Sequence, residues 1–492
     1  MAAQFQMPLS TSPSTTPSWL VTVGGTAVVA ATTAAWVSYT HKRFVPLSWI
    51  RRSFSSVPSA AKPNNKSYYL DFNGTTPVYP EVFDAMTPYL KEHFGNPSSS
   101  HLFGTAPRNA IQNARKQILT RLLGCSRTSG NKPPLDLSAV WFTGCGTESD
   151  NMAIRLALLS SPSGSNGDAS TKHIVTCNVE HPAIENYLRH LEHDDKNNTG
   201  DESDRVGVSV TRVPVDTEGR VSAKDVVDAI TPDTVLVTLM LANNESGALQ
   251  PVKEVAEECR RRGILFHTDA AQAAGKVSTR LDDMGDPDMV TIVGHKIGAP
   301  KGIAALYVRP GCLDENGRSF ETNSEICSSA LLIGGGQESG RRGGTENTPY
   351  IVGLGKAAEM AEANLERNAA HMEGLRSRLL ENLERALGGS RVRVNGPRDP
   401  TKRLPNTLSV GLDGVASSTL LSSVGHVVAA SAGAACHSTG GSISSVLVAM
   451  KVPESFARGT LRLSVGPTTT VQDIDEASEI IAKAALAQMT EN

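Results

Sequence analysis

Two short apolar runs, ILFHT at 264–268 and MVTIV at 289–293, each stop abruptly at a polar or glycine-bearing turn, and they constrain the fold more than any other feature of the sequence. Runs of this kind, rich in β-formers and closed by Gly, Pro and charged residues, read as strands buried on both faces of a parallel sheet. AVWFT (139–143), HIVTC (173–177) and TVLVTLML (234–241) repeat the pattern. Helical spacing separates them, as in DNMAIRLALL and in VKEVAEECRRR, which Gly263 caps. Strand and helix alternating from 139 to 308 predict an α/β domain with a mostly parallel sheet. Ligands of open sheets bind beyond the carboxyl ends of the strands. Asp269 and the triplet Gly294-His295-Lys296 stand at two such ends.

At 492 residues the chain exceeds one ordinary core and predicts more than one domain. Its 39% hydrophobic content fits a globular α/β enzyme and excludes a disordered chain. Six Lys/Arg and no acid precede Asp71, so the formal charge of −3 leaves −9 on the remainder. An acidic body argues against a nucleic-acid partner, because phosphate binding needs a basic surface. The seven cysteines (125, 145, 177, 259, 312, 327, 436) are odd in number and contain no C-x-x-C pair. That argues against a disulfide framework or structural zinc, leaves metal ligation without a candidate, and suits a reducing compartment.

Residues 1–66 read as an N-terminal extension outside the fold. Trp19 to Thr40 is uncharged and long enough to cross a bilayer, though rich in Thr, Ala and Gly. His41-Lys42-Arg43 follow at once, which would keep the body cytosolic if the segment is an anchor. The basic, acid-free stretch RFVPLSWIRRSFSSVPSAAK reads equally as part of a mitochondrial or plastid targeting peptide. Folded sequence begins near Tyr68, with a large domain expected over 67–345 and a smaller α+β C-terminal domain over 346–492.

An acid and a lysine at one sheet edge suit pyridoxal 5′-phosphate (PLP): the lysine holds the cofactor as a Schiff base and the carboxylate keeps the pyridine nitrogen protonated. The competing reading makes Asp269 a helix cap and Lys296 a solvated turn residue. GCGTES (144–149) follows a strand and opens a helix, so Gly146 and Thr147 offer backbone N–H groups and the positive helix end to an anion, or form a plain capped βα turn. His181 ends another strand, placed to stack on a flat ring or to sit as a loop residue. Asn243-Asn244-Glu245 ends the next, and its amides serve a ligand or an Asx turn. LLIGGGQESGRRGGTENTP (331–349) is a glycine-rich loop carrying Thr345, and the charged run 192–206 reads as a solvated insertion.

LDFNGTTP, GNPSSSH, GTESDN, VEHPAI, ANNESG, HTDAAQAAGK, GHKIGAPKGIAALYVR, GGGQESGRRGGTEN and GAACHS, in this order, resemble the cysteine desulfurase and selenocysteine lyase family of fold-type I PLP enzymes over residues 68 to about 485. GHVVAASAGAACHS and TLRLSVGPTTT look closer to the selenocysteine lyases. The resemblance implies Lys296 as the Schiff-base residue that takes the Cα proton, and Asp269 as the pyridinium partner. It implies Gln272 on the ring hydroxyl, His181 stacked on the ring, and Gly146, Thr147 and His295 around the phosphate. Thr345 would reach the phosphate of a neighbouring subunit, implying a homodimer. Asn244 and Arg462 would hold the substrate carboxylate, and Cys436 would be the catalytic cysteine, either discriminating selenium from sulfur or carrying a persulfide to a sulfur or selenium acceptor protein. Many relatives have a serine where this chain has Val293, two residues before the histidine of GHK, which removes one phosphate ligand.

Overall fold

The computed structural model describes residues 66–125, 135–160, 171–197, 207–313, 331–432 and 443–491. Residues 67–492 group as one compact unit. Its strands are β1 (Tyr68–Tyr69), β2 (Val140–Thr143), β3 (Lys172–Cys177), β4 (Val208–Val213), β5 (Thr234–Thr238), β6 (Leu265–Asp269), β7 (Met289–Val293), β8 (Ala304–Val308), β9 (Val392–Val394), β10 (Thr407–Leu412), β11 (Val428–Ala429) and β12 (Thr460–Ser464). Helices of eight residues or more are α1 (Pro80–Lys91), α2 (Leu102–Gln117), α3 (Gly146–Ser160), α4 (Pro182–Asn197), α5 (Val252–Arg262), α6 (Thr348–Ala363), α7 (Leu365–Leu387), α8 (Ser417–Val424) and α9 (Val471–Glu491).

Seven strands form one sheet in the order β2-β8-β7-β6-β5-β3-β4. The ladders β4-β3-β5-β6-β7 are parallel, and β8 runs antiparallel to both β7 and β2. The expected mostly parallel α/β sheet is therefore present. β2, β3, β5, β6 and β7 all point their carboxyl ends to the same edge. The apolar runs that predicted these strands are buried throughout β2, β3 and β7. Burial on both faces removes alternation from a sequence. Edge strand β4 instead alternates, with Ser209 exposed, which is why the sequence did not single it out.

The second layer system joins the antiparallel sheet β12-β10-β9 to α7, α8 and α9, with a two-stranded parallel pair β1-β11 beside it. The two cores interleave along the chain. Tyr68 and Leu70 pack with Leu375, Leu379 and Leu461, whereas Ile351, Leu354 and Ala357 of α6 pack with Val82, Met86 and Ile118. One helical stretch expected from 350 to 387 is two, broken at Asn364, which caps the end of α6 and the start of α7. The charged run that read as an insertion from residue 192 begins as the last turns of α4, and 198–206 lie outside the described residues. Gly263 takes the left-handed conformation (φ 70°) that stops α5, as its position after three arginines predicted.

The transmembrane expectation is corrected. Among the described residues no helix is long and apolar enough to cross a membrane. The segment Trp19 to Thr40 on which it rested lies outside the described residues, and its Thr, Ala and Gly content gives far less insertion energy than a Leu-rich span.

Leu379 is fully buried in the second core. Leu379→Ala should lower stability by about 2–5 kcal/mol in chemical denaturation. A loss under about 1 kcal/mol would mean that α7 does not seal this core.

Candidate active site

The turns that follow β2, β3, β5, β6 and β7 converge on a cavity of about 300 Å³. Each brings one or two residues to it: Gly146 and Thr147 after β2, His181 after β3, Asn244 after β5, Asp269 and Gln272 at the end of β6, His295 and Lys296 after β7. Arg462 of β12, together with Asn73 and Gly74, closes it from the second layer system. A larger cavity of about 470 Å³ also touches Lys296, beside Tyr79, Lys276 and His371, but holds none of the buried acids. The chemistry therefore belongs to the smaller one.

Asp269 is 7% exposed, and its Oδ1 accepts from the Ala271 N–H at 2.8 Å. Burial raises its pKa, against the opposing pull of His181, that N–H and Lys296. Lys296 Nζ donates to the carbonyls of Asn73 and Gly74, the latter at 2.9 Å. Desolvation, with Arg462 adding to it, pushes the ammonium down to about 8, while Asp269 and Asp71 hold it up. The amine is thus within reach of its neutral, nucleophilic form near physiological pH. His181 is exposed, yet it lines the cavity, and desolvation there lowers its pKa. His295 is pushed down to about 4, chiefly by burial and then by Lys296, Lys301 and Lys276, so its ring is neutral; its Nδ1 meets Thr75 Oγ1 at 3.1 Å.

The glycine turn is shaped for a close approach. A Cβ on Gly146 would fall 2.6 Å from Val293 Cγ2, so Val293 is the residue that presses on this turn. Glu148 Oε2 accepts from the Gly144 N–H at 2.7 Å, and Glu148 Oε1 takes the Arg342 Nε at 2.9 Å, tying the glycine-rich loop to the turn. That loop is also pinned by buried Glu338, which bonds Arg115 at 2.6 Å and the Phe142 N–H at 3.1 Å. Thr345 is exposed and does not line the cavity.

The Asn pair divides the two roles its sequence left open. Asn243 Oδ1 accepts from the N–H groups of Glu245 and Ser246 at 2.9 and 2.8 Å, an Asx turn, and Asn244 faces the cavity. Gln272 is buried and donates to the Asn73 carbonyl at 3.1 Å. Arg462 donates to Asp71 Oδ1 at 2.8 Å and to the Asn244 carbonyl at 3.1 Å, and its buried Nε has no partner. Cys436 and His437 lie outside the described residues. The chain on either side of 433–442 is fastened next to the cavity: Ser431 pairs with Arg462 in a β-bridge, and Ser444 Oγ bonds Glu245 Oε2 at 2.6 Å.

Asn73 was missed as a site residue. Its carbonyl receives both Lys296 and Gln272, its N–H donates to Ser464 Oγ at 2.9 Å, and its amide donates to Thr407 Oγ1 at 2.8 Å. One asparagine therefore ties the lysine to the second layer system. The only available signal was its place in LDFNGTTP. Asp150 and Glu180 were missed too. Both are buried at the cavity side of the sheet, and burial pushes the Glu180 carboxyl up to about 8. Among the described residues no group of acids, histidines and cysteines could hold a metal ion.

The Aminotransferase class-V family model matches residues 68–477. The chain belongs to that family. Within it, the protein is similar to cysteine desulfurase IscS of Clostridium botulinum, 37% identical over 85% of this chain and 94% of that protein. It is 40% identical to a cysteine desulfurase of Trichormus azollae over 84% of this chain and 91% of the relative. Among solved structures, a NifS-like protein superposes with a TM-score of 0.70 at 30% identity, covering 85% of this class-V chain and 98% of its own. A structure described as SspA in complex with cysteine gives 0.61 at 31% identity, over 82% and 100% of the two chains. These likenesses place the chain in the cysteine desulfurase branch of the class-V enzymes.

A depressed Lys296 pKa sets a checkable pH dependence. An amine-selective acylating reagent should label Lys296 with a midpoint near pH 8, since only the neutral amine reacts. The same depression means that the folded state sheds this proton before the unfolded one does, so stability should rise as pH climbs from about 8 to about 10.4. A labelling midpoint at pH 10 or above would contradict the desolvated lysine.

Proposed function

We propose that this chain uses PLP to remove sulfur from L-cysteine, giving L-alanine. The observation that carries the reading is the convergence of Lys296, Asp269 and the glycine turn on one cavity, in a chain similar over most of its length to cysteine desulfurases. The cavity fits the cofactor. Its volume suits a small ligand. Its glycine turn and the start of α3 offer N–H donors to a phosphate, its acid is buried where a ring nitrogen needs a counter-charge, and Arg462 Nε is an unused buried donor.

Gly146, Thr147 and His295 would hold the phosphate, Asp269 the pyridine nitrogen, Gln272 the ring hydroxyl and His181 one face of the ring. When bound, PLP supplies an electron sink for the charge left at the substrate Cα. Lys296 holds the cofactor and accepts and returns the Cα proton, a role its lowered pKa suits. Arg462 and Asn244 bind the substrate carboxylate, which would displace Asp71 from the guanidinium. Cys436 would attack the substrate sulfur as a thiolate, the Cβ–S bond breaking with its electron pair left on Cβ, which takes a proton to give alanine, so that a persulfide remains on the protein for a sulfur acceptor. A homodimer, with Thr345 serving the neighbouring site, completes this reading.

A second substrate, L-selenocysteine, is favoured by Val293. By the resemblance of its GHK motif it stands where many desulfurases have a serine, as in selenocysteine lyases, and it packs on Gly146. There Cys436 would exclude sulfur or donate a proton while selenium departs.

Alanine formation, measured separately with cysteine and selenocysteine, tests these readings. Lys296→Ala should abolish it with both. Arg462→Ala should cut kcat/KM by about 10- to 100-fold through KM, the worth of a charged hydrogen bond to carboxylate. Cys436→Ala should stop turnover of cysteine; if selenocysteine alone is lost, the discriminating lyase is the better description. Alanine from neither substrate with the unaltered chain would refute both.

A further inference from the structure

The cavity contains a second buried acid to which no step above assigns a task. Asp150, early in α3, is 2% exposed, lines the cavity, and leaves its Oδ1 without a hydrogen-bond partner. Four neighbouring segments present polar groups to it. From β6 come Asp269 and His267, whose Nε2 lies 3.8 Å from Asp150 Oδ1. From β7 comes Thr291, directly across the ladder from Asp269. The turn before α4 brings Glu180, and the turn before α3 brings Cys145.

None of these groups offers a cation. His267 is fully buried, and burial pushes its pKa down to about 3, so the imidazole is neutral. Its two nitrogens are taken up by Thr238 Oγ1 at 2.9 Å and Thr291 Oγ1 at 3.1 Å. Two buried carboxylates facing one cavity cannot both ionise cheaply. Asp269 has the compensation: the Ala271 N–H, His181 and Lys296 all favour its charged form. Asp150 has Thr291 on that side, against burial and the repulsion of Asp269, Glu180 and Cys145. Of the pair, Asp150 is the one whose surroundings oppose its charge more strongly.

We propose that Asp150 is a positioning residue: it stays a neutral acid and so confines the pair's single negative charge to Asp269, the carboxylate assigned to the pyridine nitrogen. This inference rests on the reading of the cavity as a PLP site.

The test uses full-length PLP-loaded protein, unaltered and as Asp150→Asn and Asp150→Ala. Asparagine copies a neutral carboxylic acid in shape and charge. The infrared difference between wild type and D150N at neutral pH should show the carbonyl stretch of a protonated acid. The midpoint of the pH titration of bound-PLP absorbance should stay within about 0.3 pH unit in D150N, and PLP affinity should hold in D150N but fall about tenfold in D150A. The proposal fails if the acid band is missing. It fails if the D150N midpoint drops by about one unit, the sign of a lost negative charge beside a protonated site, or if D150A keeps full affinity. Should D150A not fold, the band and the D150N midpoint decide. A wild-type protein that takes up no PLP overturns the cavity reading and this inference together, whereas failure confined to the variants overturns this inference alone.

Discussion

A carboxylate removed from water must be compensated or neutralised, and Asp269 is the group on which the structure turns. It sits at the carboxyl end of the central strand β6, nearly without solvent, in a cavity it shares with Lys296 and His181. One backbone N–H holds an oxygen directly, and the nearby lysine and imidazole lower the cost of its charge. The lysine in turn is desolvated by the same walls, which brings its neutral form into the working range. Neither residue would have these properties on a surface turn. The parallel sheet creates them by delivering successive strand ends to one edge.

The second layer system completes the site. Asn73 receives Lys296 and Gln272 on its carbonyl and is itself held by Ser464 and Thr407, so the lysine is positioned through the antiparallel sheet. Arg462 reaches the cavity from β12 of that sheet and is parked on Asp71. In the proposed reaction a substrate carboxylate would compete with Asp71 for this guanidinium, exchanging one charged contact for another. On the other flank, Glu148 and Arg342 couple the glycine-rich loop to the phosphate-type turn.

Much of this was legible in the sequence because buried parallel strands announce themselves. Continuous apolar runs ending in Asp269, in Gly294-His295-Lys296 and in Asn243-Asn244 gave both the sheet and its reactive edge. The helix break at Asn364 was not legible, since the apolar spacing continues across it and only the backbone and side-chain amide of that one residue interrupt it, the latter donating to the Met360 carbonyl at 2.8 Å. Strand β4 escaped notice because an edge strand is half polar. Asn73, Asp150 and Glu180 escaped for a different reason: each acts through burial and long-range partners, and an isolated polar residue in sequence carries no mark of either. The membrane-spanning reading of Trp19 to Thr40 drew on its length, its lack of charge and the basic residues after it, while its Thr, Ala and Gly content spoke against insertion.

We propose that Lys296, and not the neighbouring buried Lys276, is the residue that carries PLP. Both amines are depressed by burial, Lys276 to about 7, but Lys276 Nζ is bound by Gln272 O at 2.9 Å and Gln272 Oε1 at 3.1 Å, and it lies outside the lining of the cavity that holds Asp269. Borohydride reduction of the PLP-loaded protein, followed by peptide mass mapping, measures this directly. A single pyridoxyl group on Lys296 is the expected result; attachment at Lys276, or at no lysine, would contradict this assignment.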